Sequence, residues 1–341
     1  MRSQRAITAG LFTRLRNLGR VATPVLAAIV AVIFLADTAN ANGCRLSRRI
    51  IGGHVADLKN WPGFAAFRLS HMDRPTSVQF CGGVAIKPDW IMTAAHCFDD
   101  LAAVWKGFVS EADDFSRVRI EVLLGVGLLD DVTPANVFQI DRWLQHEVYA
   151  SARKAALSRN DPTAASQIAQ RFGHDIALVK LASPWHGELM PLSLTAATDP
   201  AIPMPPDRLV LVAGFGATDP AAGDMRPFTR ASGEKYLAST PELIEVALPL
   251  VGVEACTKAW PGMALGPGQY CAGFAQPKGK DSCNGDSGGP LVVLDDKLCP
   301  LQVGLVSWGP SPCAPGSASY GVYTRVSAFA EWLRRHVPGL R

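Results

Sequence analysis

Residues 281–290 read DSCNGDSGGP, with two aspartates, two serines and three glycines in ten positions. By composition such a cluster of Gly, Asp, Ser, Asn and Pro is a turn. It becomes a reactive site only if the chain elsewhere supplies what serine lacks, because its hydroxyl is too weakly acidic to attack a carbonyl without a base. Two other stretches offer candidates. Residues 93–97, TAAHC, set His96 among small residues beside Cys97, and residues 174–181, HDIALVKL, put Asp175 ahead of a strand-like apolar run. Taken singly, each has an ordinary reading: a surface or core histidine, a turn aspartate, a loop serine. Their order along the chain is His96, Asp175, Ser287.

Together, in this order and with these neighbours, the three stretches resemble the trypsin-like (chymotrypsin-fold) serine proteases, over Ile50 to about Val337. The resemblance implies an all-β fold of two packed six-stranded antiparallel β-barrels with a C-terminal α-helix. It assigns Ser287 as nucleophile, His96 as the base that takes its proton and returns it to the leaving amine, and Asp175 as the group that fixes the His96 tautomer. The backbone N–H groups of Gly285 and Ser287 are then the oxyanion hole. Glycine at 285 and 288 lets the chain bend sharply and bring amides close to a substrate.

The resemblance also puts Asp281, six residues before Ser287, at the base of the specificity pocket, with Ser307, Trp308 and Gly309 and with Gly321 and Tyr323 as its walls. A carboxylate there needs a cationic partner to offset its desolvation, which implies cleavage after Arg or Lys. Residues 48–53, RRIIGG, resemble the family's activation site. Cleavage after Arg49 would free the Ile50 ammonium to pair with Asp286 and order the amides of Gly285 and Ser287, so the uncut chain is expected to be a weakly active zymogen. The implied partners are a protein or peptide substrate with Arg or Lys before the scissile bond, an activating protease or the protein itself, and a protein inhibitor. No cofactor is implied.

The family pattern pairs Cys81 with Cys97, Cys256 with Cys271, and Cys283 with Cys313. Cys44 and Cys299 remain, either bonded to each other as a tether for the segment before Ile50 or left as free or intermolecular thiols. The even set of eight cysteines fits an oxidising compartment, and the absence of any CxxC pair gives a metal site little support.

Composition agrees with a secreted enzyme. The chain has 341 residues, 48% hydrophobic and 18% charged, enough for a large core. Its net charge of +3 divides unevenly: residues 1–49 hold eight Arg and one acid, leaving 3 − 7 = −4 for the remainder, which speaks against nucleic-acid binding. An arginine-bearing start, an apolar run over 21–36 and Ala39-Asn-Ala41 match a signal peptide. The expected division is a signal peptide over 1–41, an activation propeptide over 42–49 and a peptidase domain over 50–341. An uncleaved membrane anchor is the other reading of the first segment. The absence of an Asn-x-Ser/Thr sequon fits a bacterial secreted or periplasmic protein.

Short β-rich runs such as 120–124, 210–213 and 302–308, divided by Gly/Pro/Asp turns, read as barrel strands. Residues 327–336 place Phe329, Trp332, Leu333 and His336 at helical spacing behind Ser327 as a cap. Two stretches break the β rhythm and read as surface insertions: 98–119, and 150–172, where Asp161-Pro162 suggests a short helix running to Ile168. The first holds Asp99, Asp100, Glu111, Asp113 and Asp114, either a cluster favouring basic residues around the cut site or a solvated face. A protease fold used only for binding is the competing reading from another class, and an esterase or transferase with the same three groups is a third.

Overall fold

The structure, a computed structural model, describes residues 53–109, 114–161, 168, 173–196, 204–218, 226–229, 233, 235–238, 240–263, 265–275, 281–310, 313 and 320–341. The expected signal segment, propeptide, Arg49 and Ile50 lie outside them. The first half contains β1 (His54–Val55), β2 (Phe64–His71), β3 (Thr76–Lys87), β4 (Trp90–Thr93), α1 (Leu101–Phe108), β5 (Val118–Leu124), β6 (Val137–Gln145), α2 (Glu147–Ser158) and β7 (Ala177–Leu181). The second contains β8 (Leu209–Gly214), β9 (Arg226–Thr229), β10 (Lys235–Ala238), β11 (Ile244–Val251), α3 (Val253–Ala259), β12 (Gln269–Ala272), β13 (Pro290–Leu294), β14 (Pro300–Trp308), β15 (Gly321–Arg325) and α4 (Ala330–His336).

Two closed antiparallel barrels of six strands result. One runs β2-β5-β6-β7-β4-β3 and closes through β2–β3; the other runs β11-β12-β15-β14-β13-β8 and closes through β11–β8. Closure leaves no unpaired edge within either ring. Three strands are added outside the rings. β1 pairs antiparallel with β11, β10 lies parallel to β3, and β9 continues from β10.

Alternation along the strands explains how the barrels join. In β2 the residues Ala65, Phe67 and Leu69 enter one apolar cluster, while Phe64 and Ala66 enter another. Side chains that alternate across a strand bury both faces only if something covers each. On the first face the cover is Trp105 of α1 together with Tyr149 and Ala156 of α2. On the second it is shared with the other barrel, through Phe215 and Leu305, and with Trp332 and Leu333 of α4.

The insertions therefore sit on the first barrel but reach into its packing. Trp105 and Tyr149 are fully buried, and truncating an aromatic of that kind costs about 3–5 kcal/mol. A further helix, α2, precedes the one expected from Asp161-Pro162. It starts at Glu147, where the His146 side chain accepts from the Val148 amide. Ile168 is helical and buried; residues 162–167 lie outside the described residues.

The closing segment differs from its expected form at its cap. A 3-10 turn over Val326–Phe329 precedes α4, whose N-cap is Phe329 with no side-chain cap bond. Ser327 does not cap; its hydroxyl accepts from Arg325 Nε at 3.3 Å. Burial of Phe329, Trp332 and Leu333 holds the helix instead.

Candidate active site

His96 lies in a 3-10 turn, Ala95–Phe98, directly after β4. The turn is fixed by the Cys81–Cys97 disulfide and by buried Thr93, whose Oγ1 donates to the Gly82 carbonyl at 2.7 Å. Asp175, fully buried just before β7, engages the turn twice. Its Oδ1 accepts from the His96 amide at 2.9 Å, and its Oδ2 stands 2.7 Å from His96 Nδ1. Ser307 Oγ donates to the same Oδ2 at 2.6 Å, and Thr324 Oγ1 donates to the Asp175 carbonyl at 2.8 Å.

These contacts decide the charge states. Burial alone would raise the Asp175 pKa, but the His96 charge and the hydrogen bonds from His96 and Ser307 outweigh it and hold the carboxyl below its usual range. Burial alone would lower the His96 pKa; Asp175, with a further contribution from Asp99, raises it instead. An ionised Asp175 requires the proton on Nδ1, which leaves Nε2 of the neutral ring as a base.

Ser287 is brought to this pair by its backbone. Its carbonyl accepts from the Gly82 amide at 2.7 Å and lies 3.6 Å from Cys97 Sγ, next to His96. The turn around it is pinned by Asp286 N to Cys283 O at 3.0 Å, Gly288 N to Val306 O at 2.8 Å and Gly289 N to Asp286 O at 2.8 Å. Gly288 has φ +79°, and a Cβ there would stand 2.1 Å from Thr93 Oγ1, so no other residue fits. Among the described residues, the amides of Gly285 and Ser287 find no acceptor and the Ser287 hydroxyl makes no hydrogen bond. Two unpaired donors flanking a serine form a ready site for a developing oxyanion.

The Asp286 carboxylate turns away from Ser287 into the second barrel. It accepts from the Gly216 amide at 2.7 Å and the Cys283 amide at 2.9 Å. Gly214 and Gly216 make room for it: a Cβ on Gly216 would lie within 2.4 Å of its oxygens. Two amide hydrogen bonds do not offset the burial, which pushes its pKa up to about 6. Nothing in the spacing of the GFG stretch, 214–216, pointed to this cradle; the clue is two glycines where a strand ends.

Asp281 lies beside Gly321 and Tyr323 of β15. Its Oδ1 accepts from the Ser282 amide at 2.8 Å, with the Tyr323 hydroxyl at 3.5 Å. Tyr323 OH and Ser282 Oγ are 3.0 Å apart. Gly321 borders the carboxylate itself, since a Cβ there would lie 2.8 Å from Asp281 Oδ1, and Gly309 faces Gly321. Burial pushes the Asp281 pKa up to about 7. Among the described residues it has no cationic partner. Trp308 packs edge-on against Trp260 at a ring-centroid distance of 4.9 Å.

The Ser307 hydroxyl is directed to Asp175, a contact beyond the pocket-wall part expected of this residue. The three expected disulfides form, Cys81–Cys97, Cys256–Cys271 and Cys283–Cys313. Cys299 is disulfide-bonded as well; Cys44 lies outside the described residues. Cys81, Cys97 and His96 bring ligand-type atoms within 4.8 Å of one another, but both sulfurs are spent in the disulfide and offer no thiolate. The acidic cluster of the first insertion is not one face. Asp99 pairs with Arg153, Asp100 caps α1 through the Ala103 amide, and Asp114 caps a 3-10 turn through the Ser116 amide; Glu111 and Asp113 lie outside the described residues. No described helix is long and apolar enough to cross a membrane.

Comparison with known proteins agrees with this architecture. The family model for trypsin matches residues 50–333. A trypsin from Phaedon cochleariae is 30% identical over 314 residues, covering 90% of this chain and 95% of that protein. Serine protease 56 from Mus musculus is also 30% identical, over 307 residues and 87% of this chain, which spans 40% of the mouse protein's length. A barrel pair with this loop between its halves, matched by family and by full-length similarity, places the chain in the trypsin family of serine proteases.

Proposed function

We propose that the protein is a secreted serine endopeptidase, made as a zymogen, that cleaves peptide bonds after Arg or Lys. The observation that carries this reading is the buried Asp175, which holds His96 by its amide and its Nδ1 together, near Ser287, whose own amide and that of Gly285 find no acceptor among the described residues. In the reaction, Ser287 Oγ attacks the scissile carbonyl as His96 Nε2 takes its proton. The amides of Gly285 and Ser287 receive the negative charge on the carbonyl oxygen. Collapse of that intermediate expels the amine, protonated by His96, and water repeats the sequence on the acyl-enzyme.

Specificity rests on Asp281. Its raised pKa marks a carboxylate whose charge lacks a partner, and a substrate guanidinium or ammonium supplies one. Activation rests on Asp286 for the same reason. Cleavage after Arg49 would deliver the Ile50 ammonium to a buried acid that accepts from the Gly216 and Cys283 amides. Export through the signal segment over 1–41 agrees with the three disulfides. Sequencing the N-terminus of the purified, processed protein and profiling it on a peptide library tests the whole reading. The expected result is Ile50 at the terminus and cuts after Arg and Lys; an active protein starting elsewhere, or cuts after apolar residues, would overturn it.

A further inference from the structure

The turn that carries His96 is held from a second direction. Gln145 Nε2, at the end of β6, donates to the Ala95 carbonyl at 2.7 Å and to Asp99 Oδ1 at 3.1 Å, so one amide group bridges the two ends of the turn. Asp99 Oδ2 accepts from the Tyr149 hydroxyl at 2.5 Å. Arg153 Nε lies 2.9 Å from Asp99 Oδ1, and the same guanidinium donates to the Asp99 carbonyl. Tyr149 and Arg153 both belong to α2, the helix of the second insertion.

We propose that Asp99 is a positioning residue for His96: a second carboxylate that locks the histidine turn onto α2 and sets the basicity of the ring, with Arg153 as its counterweight. The inference rests on the reading of His96 as the base and adds to it. Charge geometry makes the effect two-sided. Asp99 favours the imidazolium and Arg153 opposes it, so removing either moves the ring in opposite directions. Asp99 is among the charges that raise the His96 pKa, after Asp175. Burial pushes Asp99 itself up, against the pull of Tyr149, Arg153 and Gln145.

The charged and titratable groups facing the pair are Asp175 from the segment before β7 and Tyr149 and Arg153 from α2. Asp100, next along, is committed to the start of α1. His146 and His174 pack instead with Phe329 at the closing helix. A merely structural role for Asp99 would lower activity without this opposed effect on the ring.

The test is an NMR titration of His96, with histidine labelled at Cε1, in the full chain carrying Ser287→Ala, so that no turnover is needed. Asp99→Asn should lower the His96 pKa by roughly half a pH unit or more, and Arg153→Gln should raise it by a similar amount. Shifts of both in one direction, or of neither, would overturn the proposal. If Asp99→Asn does not fold, Arg153→Gln decides alone, because loss of its charge leaves Asp99 unneutralised. In the active protein the acid limb of kcat/KM should follow the same two directions. Normal turnover without opposed shifts removes this inference only, whereas opposed shifts in a protein that cuts nothing remove the protease reading only.

Discussion

The first barrel and the second treat buried charge in opposite ways. On the first-barrel side Asp175 is fully enclosed, yet the His96 ring, the His96 amide and Ser307 satisfy both its oxygens and depress its pKa. On the second-barrel side Asp281 and Asp286 have only neutral donors, and their pKa values rise to about 7 and about 6. One half is electrically complete, and the other holds two carboxylates that each lack a cation among the described residues. A buried charge without a partner is costly, and its presence marks a place that something else completes. The proposed partners differ: a substrate side chain at Asp281, the chain's own new terminus at Asp286.

The strongest way to break the comparison is to disable the complete half. Ser287→Ala or His96→Ala should lower kcat by on the order of 10⁴- to 10⁶-fold, and Asp175→Asn, which keeps the shape but permits the wrong tautomer, by about 10⁴-fold. Active-site-titrated kinetics on one arginyl peptide would show it. A smaller loss is expected on the incomplete side. Asp281→Ser should reduce kcat/KM for arginyl peptides by roughly 10²- to 10³-fold, as removal of one partner of a buried pair costs about 3–5 kcal/mol. Apolar peptides should lose little. In the unsubstituted protein KM for arginyl peptides should fall as pH rises through 7, because only ionised Asp281 pairs with the guanidinium.

Asp286 gives a thermodynamic version of the same contrast. The folded, uncut chain keeps that proton up to about pH 6, while the unfolded chain releases it near 3.8. The folded state therefore binds more protons between these values, and stability falls as pH rises through them. The loss is about 3 kcal/mol from this group. Urea unfolding at pH 4 and pH 7 should show the fall in the uncut protein, a smaller one in Asp286→Asn, and a smaller one after cleavage at Arg49. The mildest change is Ser307→Ala. Loss of one hydrogen bond to a charged group, about 1.5–3 kcal/mol, should lower kcat/KM by tens-fold and leave Arg preference intact.

Within both halves, residues in local motifs are legible in the sequence and those that act across long separations are not. His96, Asp175, Ser287 and Asp281 sit in short stretches whose neighbours carry the resemblance, and strands such as 120–124 show as β-rich runs between turns. Ser307 and Gly216 were harder to read, because their partners lie 132 and 70 residues away and a single hydrogen bond leaves no local pattern. The role of Asp99 was hidden behind a run of acids that looked like one solvated face. Only folding shows that Arg153, 54 residues on, turns one of them inward. One helix start is hidden for a related reason: Ser327 is a good cap by type, but packing around Phe329 sets where α4 begins.

Labelling with a fluorophosphonate probe addresses the central claim most directly, since it reports a serine activated by its base and oxyanion site without needing the natural substrate. The uncut chain should label slowly. Cleavage after Arg49 should accelerate labelling at Ser287 by orders of magnitude, and Ser287→Ala should abolish it. A correctly processed protein that takes up no probe would contradict the account and leave a protease fold used for binding alone.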